Sequence, residues 1–314
     1  MRDKFQEFLS RHKSSKLAIA MHRNADLDAL CSAYALSTLL PNAVLVTPDE
    51  MNLPARSLAK DLGVKVFLFS QLNRLEYDGL IVVDSGSYVM MDEARKWKIL
   101  MMVDHHQRSP EAERISGEVE LWDGTSPSNC QIVASALPAI NENAAFALAI
   151  GIISDTARFK GGNAQSFEQL ARMLGICGKT YAQALEYAEP ERAADEKVFI
   201  LSAFRKAEVV TYKDTVIATT VVSGNESDAS SSISEFADIA FAASWRAQEK
   251  ETRVSARARK SVQVKMNEIM RKVGEQFSST GGGHAKAAGA GAKERPEKVL
   301  AACVEAVKDA LDGI

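Results

Sequence analysis

The chain has 314 residues, of which 46% are hydrophobic and 25% are charged, and its formal net charge is −3. This length exceeds that of one compact core, so we expect two domains. The charge argues against a generally basic nucleic-acid wrapper, and no apolar run approaches the ~20 residues of a membrane span. The four cysteines are scattered, which argues against a disulfide framework and a thiolate zinc site. The charged residues 1–10 do not resemble a signal peptide, so we expect a cytoplasmic protein.

The first half of the chain alternates short apolar runs with helical patterns, which predicts βαβ units and a mostly parallel sheet. After a short N-terminal helix, strands are predicted at residues 16–21, 43–46, 65–69, 80–83 and 98–103, and 146–153 is a further strand-like run. Helices are predicted at residues 27–40 and 126–137.

The second half of the chain has a different arrangement of predicted helices and strands. Residues 166–204 look helical, and strands are predicted at 215–222 and 251–257, followed by a glycine-rich loop at 278–283 and an amphipathic helix at 296–311. The predicted fold class is therefore α/β. We expect a mostly parallel N-terminal domain at residues 1–185, a helical connector at 186–204 and a smaller α/β domain at 205–314.

Acidic and imidazole side chains follow four of the apolar runs at the points where those runs end. The set consists of His22, Asp26, Asp28, Asp84, Asp104, His105, His106 and Asp155. Because the carboxyl ends of parallel strands share one edge of a sheet, we expect these side chains to meet there. Clustered carboxylates raise one another's pKa unless cations neutralise them. Four aspartates with imidazoles suit Mn²⁺ or Mg²⁺, and two such ions sharing an aspartate suit in-line displacement at phosphorus.

Helix capping is an alternative interpretation for single members of this set. Asp26 or Asp28 could serve only as the N-cap of the helix that begins near Ala29. Capping does not account for His22 or for the pair His105-His106. The metal interpretation is therefore favoured for the set as a whole.

The pattern His22-x-x-x-Asp26-x-Asp28, Asp84, Asp104-His105-His106 and Asp155 resembles, in order, the four motifs of the DHH phosphoesterase superfamily. That superfamily includes RecJ-type exonucleases, bacterial nanoRNases, cyclic-dinucleotide phosphodiesterases, exopolyphosphatases and family II pyrophosphatases. The resemblance implies a site for two Mn²⁺ ions, with Mg²⁺ or Co²⁺ as substitutes.

The resemblance also implies a role for each residue of the set. One ion would be held by His22, Asp26 and Asp84. The other would be held by Asp28, Asp84, His105 and Asp155, so that Asp84 bridges the two. Among the catalytic residues, His106 would face the phosphoryl group and Asp104 would support the imidazoles. Either histidine of the pair could be the one that ligates metal.

A glycine-rich segment, Gly281-Gly282-Gly283-His284, is the second motif. Consecutive glycines allow backbone N–H groups to approach an anion, His284 adds a donor, and the helix-like stretch that follows would add its positive end. Taken alone, such a run is usually a flexible loop. Beside the metal motifs, it resembles the GGGH motif of the DHH-associated C-terminal domain, which grips substrate nucleotide. Arg257 resembles that domain's phosphate-binding arginine, although Ala258 stands where the common form has serine.

Residues 246–272 contain nine lysines and arginines against three glutamates. This excess suits a polyanionic substrate, although the outer residues could equally form a solvated helix face. Lys286 is a further candidate phosphate contact. The sparse aromatic residues of this half do not indicate a long stacking track for single strands.

These features predict a manganese-dependent phosphodiesterase or phosphohydrolase acting on short oligonucleotides or small nucleotides. Substrates of this kind include nanoRNA, bisphosphorylated adenosine, and linear or cyclic dinucleotides. A RecJ-like single-strand exonuclease is the enzymatic alternative, and a module that binds nucleic acid or cyclic dinucleotides is the non-enzymatic one. The expected partner is short RNA, short DNA or a small nucleotide, with no membrane, and a homodimer is the default assembly.

Overall fold

The computed structural model describes residues 2–108, 112–137 and 139–313. The chain divides into two compact units, Met1–Glu191 and Arg192–Ile314. Each unit contains a six-stranded sheet with helices, which confirms the α/β fold class. Within the described ranges, no helix is both long and apolar enough to cross a membrane.

The first unit is built on a wholly parallel sheet, as predicted. Its strands are β1 (Leu17–Ala20), β2 (Val44–Thr47), β3 (Val66–Leu68), β4 (Gly79–Val83), β5 (Ile99–Asp104) and β6 (Val119–Trp122). The strand β6 was not predicted. The spatial order is β3-β2-β1-β4-β5-β6, so the direction of winding reverses between β1 and β4. In open α/β sheets, ligands bind at the carboxyl ends of the strands beside such a reversal.

Helices cover this sheet unequally on its two faces. The helices of the unit are α1 (Arg2–His12), α2 (Leu27–Ser37), α3 (Leu53–Asp61), α4 (Asn129–Ala136), α5 (Glu142–Asp155), α6 (Ala164–Cys177) and α7 (Tyr181–Ala188). Alternate residues of β1 supply the two cores: Leu17 and Ile19 pack in the cluster that includes α2 and α5, whereas Ala18 and Ala20 face short 3₁₀ segments on the other side.

The strand predicted at residues 146–153 is wrong, because these residues lie inside helix α5. Asn141 caps this helix by accepting a hydrogen bond from the Ala144 amide at 2.8 Å. The helix is buried on nearly every side, and its residues 144–153 include no polar side chain, so the sequence shows no helical period. Asp155 is consequently delivered by the last turn of a helix rather than by the end of a strand.

A glycine in α5 allows three helices to pack closely. A Cβ atom on Gly151 would lie 2.3 Å from the Sγ of Cys130 in α4 and 3.3 Å from the Oδ1 of Asp28 in α2. Real Cβ atoms do not approach a sulfur atom so closely. Gly151 therefore gives Asp28 the space that its position requires.

The second unit has a mixed sheet with the spatial order β11-β12-β10-β9-β8-β7. Its elements are α8 (Ala194–Arg205), β7 (Glu208–Tyr212), β8 (Thr215–Val221), α9 (Glu226–Ile233), β9 (Ile239–Arg246), β10 (Glu251–Ala258), α10 (Met266–Gln276), β11 (Gly281–Gly283), β12 (Ala287–Ala292) and α11 (Pro296–Asp312). Strands β8 and β9 are parallel, and the other neighbours are antiparallel.

Two expectations for this unit are corrected. The three glycines of the predicted loop form the edge strand β11, and the stretch after His284 is strand β12 instead of a helix. The sequence of β12, Ala-Ala-Gly-Ala-Gly-Ala, has little β-propensity of its own. Its two ladders, with β10 and with β11, provide the backbone hydrogen bonds that make it a strand. The expected helix dipole at the GGGH segment is therefore absent from this part of the described chain.

We predict opposite effects of alanine at two helical glycines. Gly151→Ala should destabilise the protein by about 1–3 kcal/mol, because the new methyl group overlaps Cys130. Gly175→Ala in α6 should stabilise it by about 0.5–1 kcal/mol, because no atom lies within 4 Å of the added carbon. Urea unfolding of both variants measures the difference. Equal effects at the two positions would contradict the close packing at Gly151.

Candidate metal centre

The predicted ligands meet at the carboxyl edge of the first sheet. His22, Asp26 and Asp28 follow β1, Asp84 follows β4, and the triplet from Asp104 follows or ends β5. Three groups have donor atoms within 4.8 Å of one another: His22 with Asp26 and Asp84, Asp28 with His105 and Asp155, and Asp84 with His105 and His106. The cluster lies beside the reversal between β1 and β4, where ligands of such sheets bind.

Asp84 lies at the centre of this cluster. Its Oδ2 is 3.3 Å from the Nε2 of His22, and its Oδ1 is 3.4 Å from the Nε2 of His105. The residue has a φ of +58°, in the left-handed region that few residues with side chains adopt but that aspartate tolerates. Its amide donates to the Val103 carbonyl at 2.8 Å, which fixes this turn at the end of β4. The backbone strain thus places the carboxylate between two imidazoles.

Capping of α2 explains part of the contacts of Asp26 and none of those of Asp28. Asp26 is the N-cap of α2, since its Oδ1 accepts from the amides of Asp28 and Ala29 at 3.0 and 3.1 Å. It also lies 4.0 Å from the Nε2 of His22. The carboxylate of Asp28 instead accepts from the amides of Asn129 and Cys130 at 2.6 and 2.9 Å. These amides begin α4, whose N-terminal end favours a negative charge.

Backbone carbonyls orient both imidazoles toward the carboxylates. The Nδ1 of His22 donates to the Arg23 carbonyl at 2.9 Å, and the Nδ1 of His105 donates to the Ser126 carbonyl at 3.1 Å. A carbonyl oxygen only accepts, so the neutral ring carries its proton on Nδ1 and leaves Nε2 free as a ligand atom. The Nε2 of His105 lies 3.5 Å from Asp155 and 3.9 Å from Asp28.

His106 has a different environment. Its Nδ1 lies 2.8 Å from the Oδ1 of Asp104, a buried residue, and its side chain is 57% exposed. The hydrogen bond to Asp104 outweighs burial and raises the pKa of His106. One histidine of the pair therefore faces the carboxylate cluster, whereas the other is held by Asp104 and is open to solvent.

Burial and mutual charge control the pKa values of the cluster. Burial and the charges of Asp84 and Asp155 raise the pKa of Asp28 well above its usual range. Burial, partly offset by His105, raises the pKa of Asp155 to about 6. Burial also disfavours charge on Asp84, but the adjacent imidazoles of His105 and His22 hold its pKa below the usual value. Burial opposes charge on both histidines, yet their contacts with Asp84 raise the pKa of His22 to about 9 and of His105 to about 10.

The donor set fits divalent cations. Among the described residues, the Oδ1 of Asp84 is buried and has no hydrogen-bond partner. A buried, unsatisfied carboxylate oxygen is costly unless a cation or a donor compensates it. Carboxylate oxygens with imidazole nitrogens are the donors that Mn²⁺ and related ions prefer.

The groups that hold these side chains in place were not predicted. They are the Ser126 carbonyl and the amides of Asn129 and Cys130, which belong to the loop after β6 and to the start of α4. The polar start of the helix predicted at 126–137 was the available signal. That signal does not indicate which side chains these groups bind, because His105 and Asp28 lie 21 to 102 residues away in sequence.

The substrate contacts predicted in the second unit line or adjoin a cleft of about 510 Å³. Gly281 and Gly282 line it, as do Ser227 and Ser255, whose hydroxyls accept hydrogen bonds from Arg257 at 2.8 and 3.3 Å. His284 is exposed in the turn that follows β11. Within the described ranges, Arg257 has no carboxylate partner, so its charge is available to an anion.

Other predicted basic contacts are already engaged within the protein. The ammonium group of Lys286 donates to the Val262 carbonyl. Four of the nine basic residues in 246–272 form ion pairs with neighbouring glutamates: Arg246 with Glu226, Arg253 with Glu249, Lys265 with Glu268 and Arg271 with Glu275. The count of charges in this segment therefore overstates its attraction for a polyanion.

Comparison with known proteins identifies the family. Residues 16–152 match the DHH family, N-terminal domain, and residues 214–313 match the DHHA1 domain. The chain belongs to the DHH phosphoesterase superfamily. This membership makes it a hydrolase of phosphoric ester bonds, as the sequence motifs predicted.

Relatives of this DHH phosphoesterase resemble it over nearly its whole length. An uncharacterized protein of Methanocaldococcus jannaschii is 29% identical over 316 residues, which cover 94% of this chain and 93% of the relative. An exopolyphosphatase-related protein from Bacteroides fragilis has a TM-score of 0.72 at 14% identity, over 98% of this chain and 95% of the other. A pGpG-specific phosphodiesterase from Vibrio cholerae has a TM-score of 0.51 at 15% identity, over 94% and 100%. Both of these solved structures share the fold of this chain.

We predict that the affinity for divalent cations rises with pH. Because the pKa values of His22 and His105 are about 9 and 10 without metal, both rings carry two protons at neutral pH, and a cation must displace one from each. Affinity should rise between about pH 6 and 9, by up to about tenfold per pH unit for each proton released. Titration calorimetry with Mn²⁺, in buffers of different ionisation enthalpy, counts those protons. His12→Gln, outside the cluster, should behave as the wild type, whereas a flat pH profile would contradict the prediction.

Proposed function

We propose that this phosphoesterase is a divalent-metal-dependent phosphodiesterase that acts on short oligonucleotides or small nucleotides, with Mn²⁺ as its cation. The observation that carries the proposal is the position of Asp84, a buried carboxylate with one oxygen near each of two imidazoles. A carboxylate shared by two sets of ligands is the arrangement of a paired-ion site.

We assign the ligands from these contacts. His22, Asp26 and Asp84 would hold one ion. Asp28, Asp84, His105 and Asp155 would hold the other. Ions bound there supply positive charge for the phosphoryl oxygens and lower the pKa of an attacking water. His105 is the ligand of the histidine pair in this assignment, because its Nε2 faces three carboxylates.

His106 would contact the substrate. Asp104 accepts the hydrogen bond from its Nδ1 at 2.8 Å and so fixes the ring, which leaves Nε2 to donate to a phosphoryl oxygen or to the leaving group. Asp104 acts through His106 and is a positioning residue. The raised pKa of His106 keeps the ring protonated over a wider pH range, as a donor requires.

The size of the cleft in the second unit supports a small substrate. Its volume of about 510 Å³ falls within the range of sites for small molecules, which is about 300–1,000 Å³. The guanidinium of Arg257 forms no ion pair with a carboxylate of the described residues, and it suits a phosphate group. A phosphodiesterase from Vibrio cholerae that is specific for pGpG has a fold that resembles this one over 94% of this chain.

Hydrolysis of end-labelled RNA and DNA of two, five and twenty nucleotides tests this proposal. With Mn²⁺, we expect rapid loss of the shortest substrates and little digestion of the longest. Asp84→Asn should lower kcat/KM by about 1,000-fold or more, a change of ~4 kcal/mol in the barrier. The matched control is Asp61→Asn at the exposed end of α3, which should retain full activity.

Other outcomes would change the assignment. Processive digestion of the twenty-nucleotide substrates would indicate a RecJ-like exonuclease. If no substrate were hydrolysed with Mn²⁺, Mg²⁺ or Co²⁺, the proposed phosphodiesterase function would be wrong. Equal activity of Asp84→Asn and the wild type would show that the paired-ion site takes no part in the reaction.

Alanine substitutions at two neighbouring glycines distinguish an effect on substrate binding from an effect on packing. A Cβ atom on Gly281 would lie 1.9 Å from the Met270 carbonyl, whereas one on Gly282 would meet no atom within 4 Å. Gly281→Ala should therefore lower stability by about 1–3 kcal/mol. Gly282→Ala should leave the thermal unfolding temperature unchanged and raise KM by about tenfold, because the methyl group obstructs backbone N–H groups that a substrate approaches. An unchanged KM for Gly282→Ala would contradict that role.

A further inference from the structure

A cavity of about 240 Å³ adjoins the candidate metal centre within the first unit. Its lining residues include His22, Asp84 and His106 of the candidate metal centre and also Arg108 and Arg114. The volume is below the range of about 300–1,000 Å³ that encloses a whole small-molecule ligand. The cavity therefore suits one group of a larger substrate, placed next to the group at the metal centre.

The two arginines add positive charge to a cavity that Asp84 and Asp104 also line. Both guanidinium groups contact the same oxygen of Glu120, at 3.1 Å from Arg108 and 3.8 Å from Arg114. One carboxylate cannot neutralise two guanidinium groups, so one positive charge remains among these three side chains. Arginine forks match the geometry of phosphate oxygens and form strong charge-assisted hydrogen bonds with them.

Contacts with the surrounding chain hold the side chain of Arg108 and the backbone of Arg114 in place. The guanidinium of Arg108 lies over the ring of Trp122 at 4.0 Å, and the Trp122 indole donates to the His106 carbonyl at 3.0 Å. Arg114 forms an antiparallel bridge with Ser87, and the adjacent Ile115 amide donates to the Gly86 carbonyl at 2.9 Å. Preorganised side chains lose less conformational entropy when they bind a ligand.

The same contacts connect the arginines to the residues of the reaction. Trp122 joins Arg108 to the backbone of His106, and Ser87 lies three residues after Asp84. An anion held by the arginines would consequently keep a fixed position relative to these two residues. Such a position would select the distance between two phosphate groups of one substrate.

We propose that Arg108 and Arg114 form a subsite for a second phosphoryl group of the substrate, next to the phosphate that is hydrolysed. This inference rests on the proposed function and narrows its substrate class to nucleotides that carry a terminal phosphate beside the scissile bond. Neither arginine belongs to the metal motifs or to the GGGH segment, and the sequence placed the basic contacts in the second unit only.

Three dinucleotides that differ only in their ends test the subsite. They carry a 5′-phosphate, a 3′-phosphate or hydroxyl groups at both ends, and each is hydrolysed by the full-length protein with Mn²⁺. We expect the wild type to prefer one phosphorylated form over the hydroxyl form by about tenfold or more in kcat/KM. Arg108→Gln and Arg114→Gln together should reduce this preference to near unity, mainly through a higher KM.

The ratio between substrates distinguishes binding from a structural effect. A structural role would lower activity on all three dinucleotides alike and leave the wild-type preference intact, which would overturn the inference. The matched control is Arg56→Gln, an exposed arginine that pairs with Glu50 at 2.7 Å, and it should keep the preference. Binding titrations of the metal-free protein with the same dinucleotides should show the same change in preference without turnover.

The wild type separates failure of this inference from failure of the proposed function. Hydrolysis of all three dinucleotides at equal kcat/KM would overturn the subsite and leave the phosphodiesterase function standing. No hydrolysis of any dinucleotide would overturn the function. In that case, the metal-free titrations still decide whether the two arginines bind a terminal phosphate.

Discussion

The first unit depends on one electrostatic constraint, which is the burial of the Asp84 carboxylate between two imidazoles. A buried carboxylate is costly, and here the Nε2 atoms of His22 and His105 approach it from two sides. The sheet order makes this possible, because it brings the ends of β1 and β4 together where the winding reverses. The left-handed backbone at Asp84 then directs the carboxylate into the space between the rings.

Sequence reasoning could locate these side chains because they occur where apolar runs end, and parallel strands end at one edge. It could not find the strand order, since the predicted strands of the sheet read as similar apolar runs, and β6, which contains Glu120, was not predicted. It also misread residues 146–153, because a helix buried on all sides loses the polar face that marks a helix. Asp155 still reaches the cluster, since the last turn of α5 ends at the same place as the strands.

In the second unit, the sequence identifies the GGGH segment but not its secondary structure. Alanine and glycine have little preference for strands, so the sequence does not indicate β12. Pairing with β10 makes β12 a strand, and β12 in turn pairs with the three glycines. The ion pairs of the basic segment were also hidden, since two of the glutamates involved, Glu226 and Glu275, lie outside the stretch whose charges were counted.

The contacts made by the backbone explain why the cluster is suited to cations even before they bind. Carbonyls of Arg23 and Ser126 fix the two rings, and amides at the start of α4 fix the Asp28 carboxylate. Replacing a proton on Nε2 with a metal ion does not break the hydrogen bonds on Nδ1, so the ligand atoms keep their positions. Cation binding therefore exchanges charge at the centre with little rearrangement, and this is the preorganisation that electrostatic stabilisation of a transition state requires.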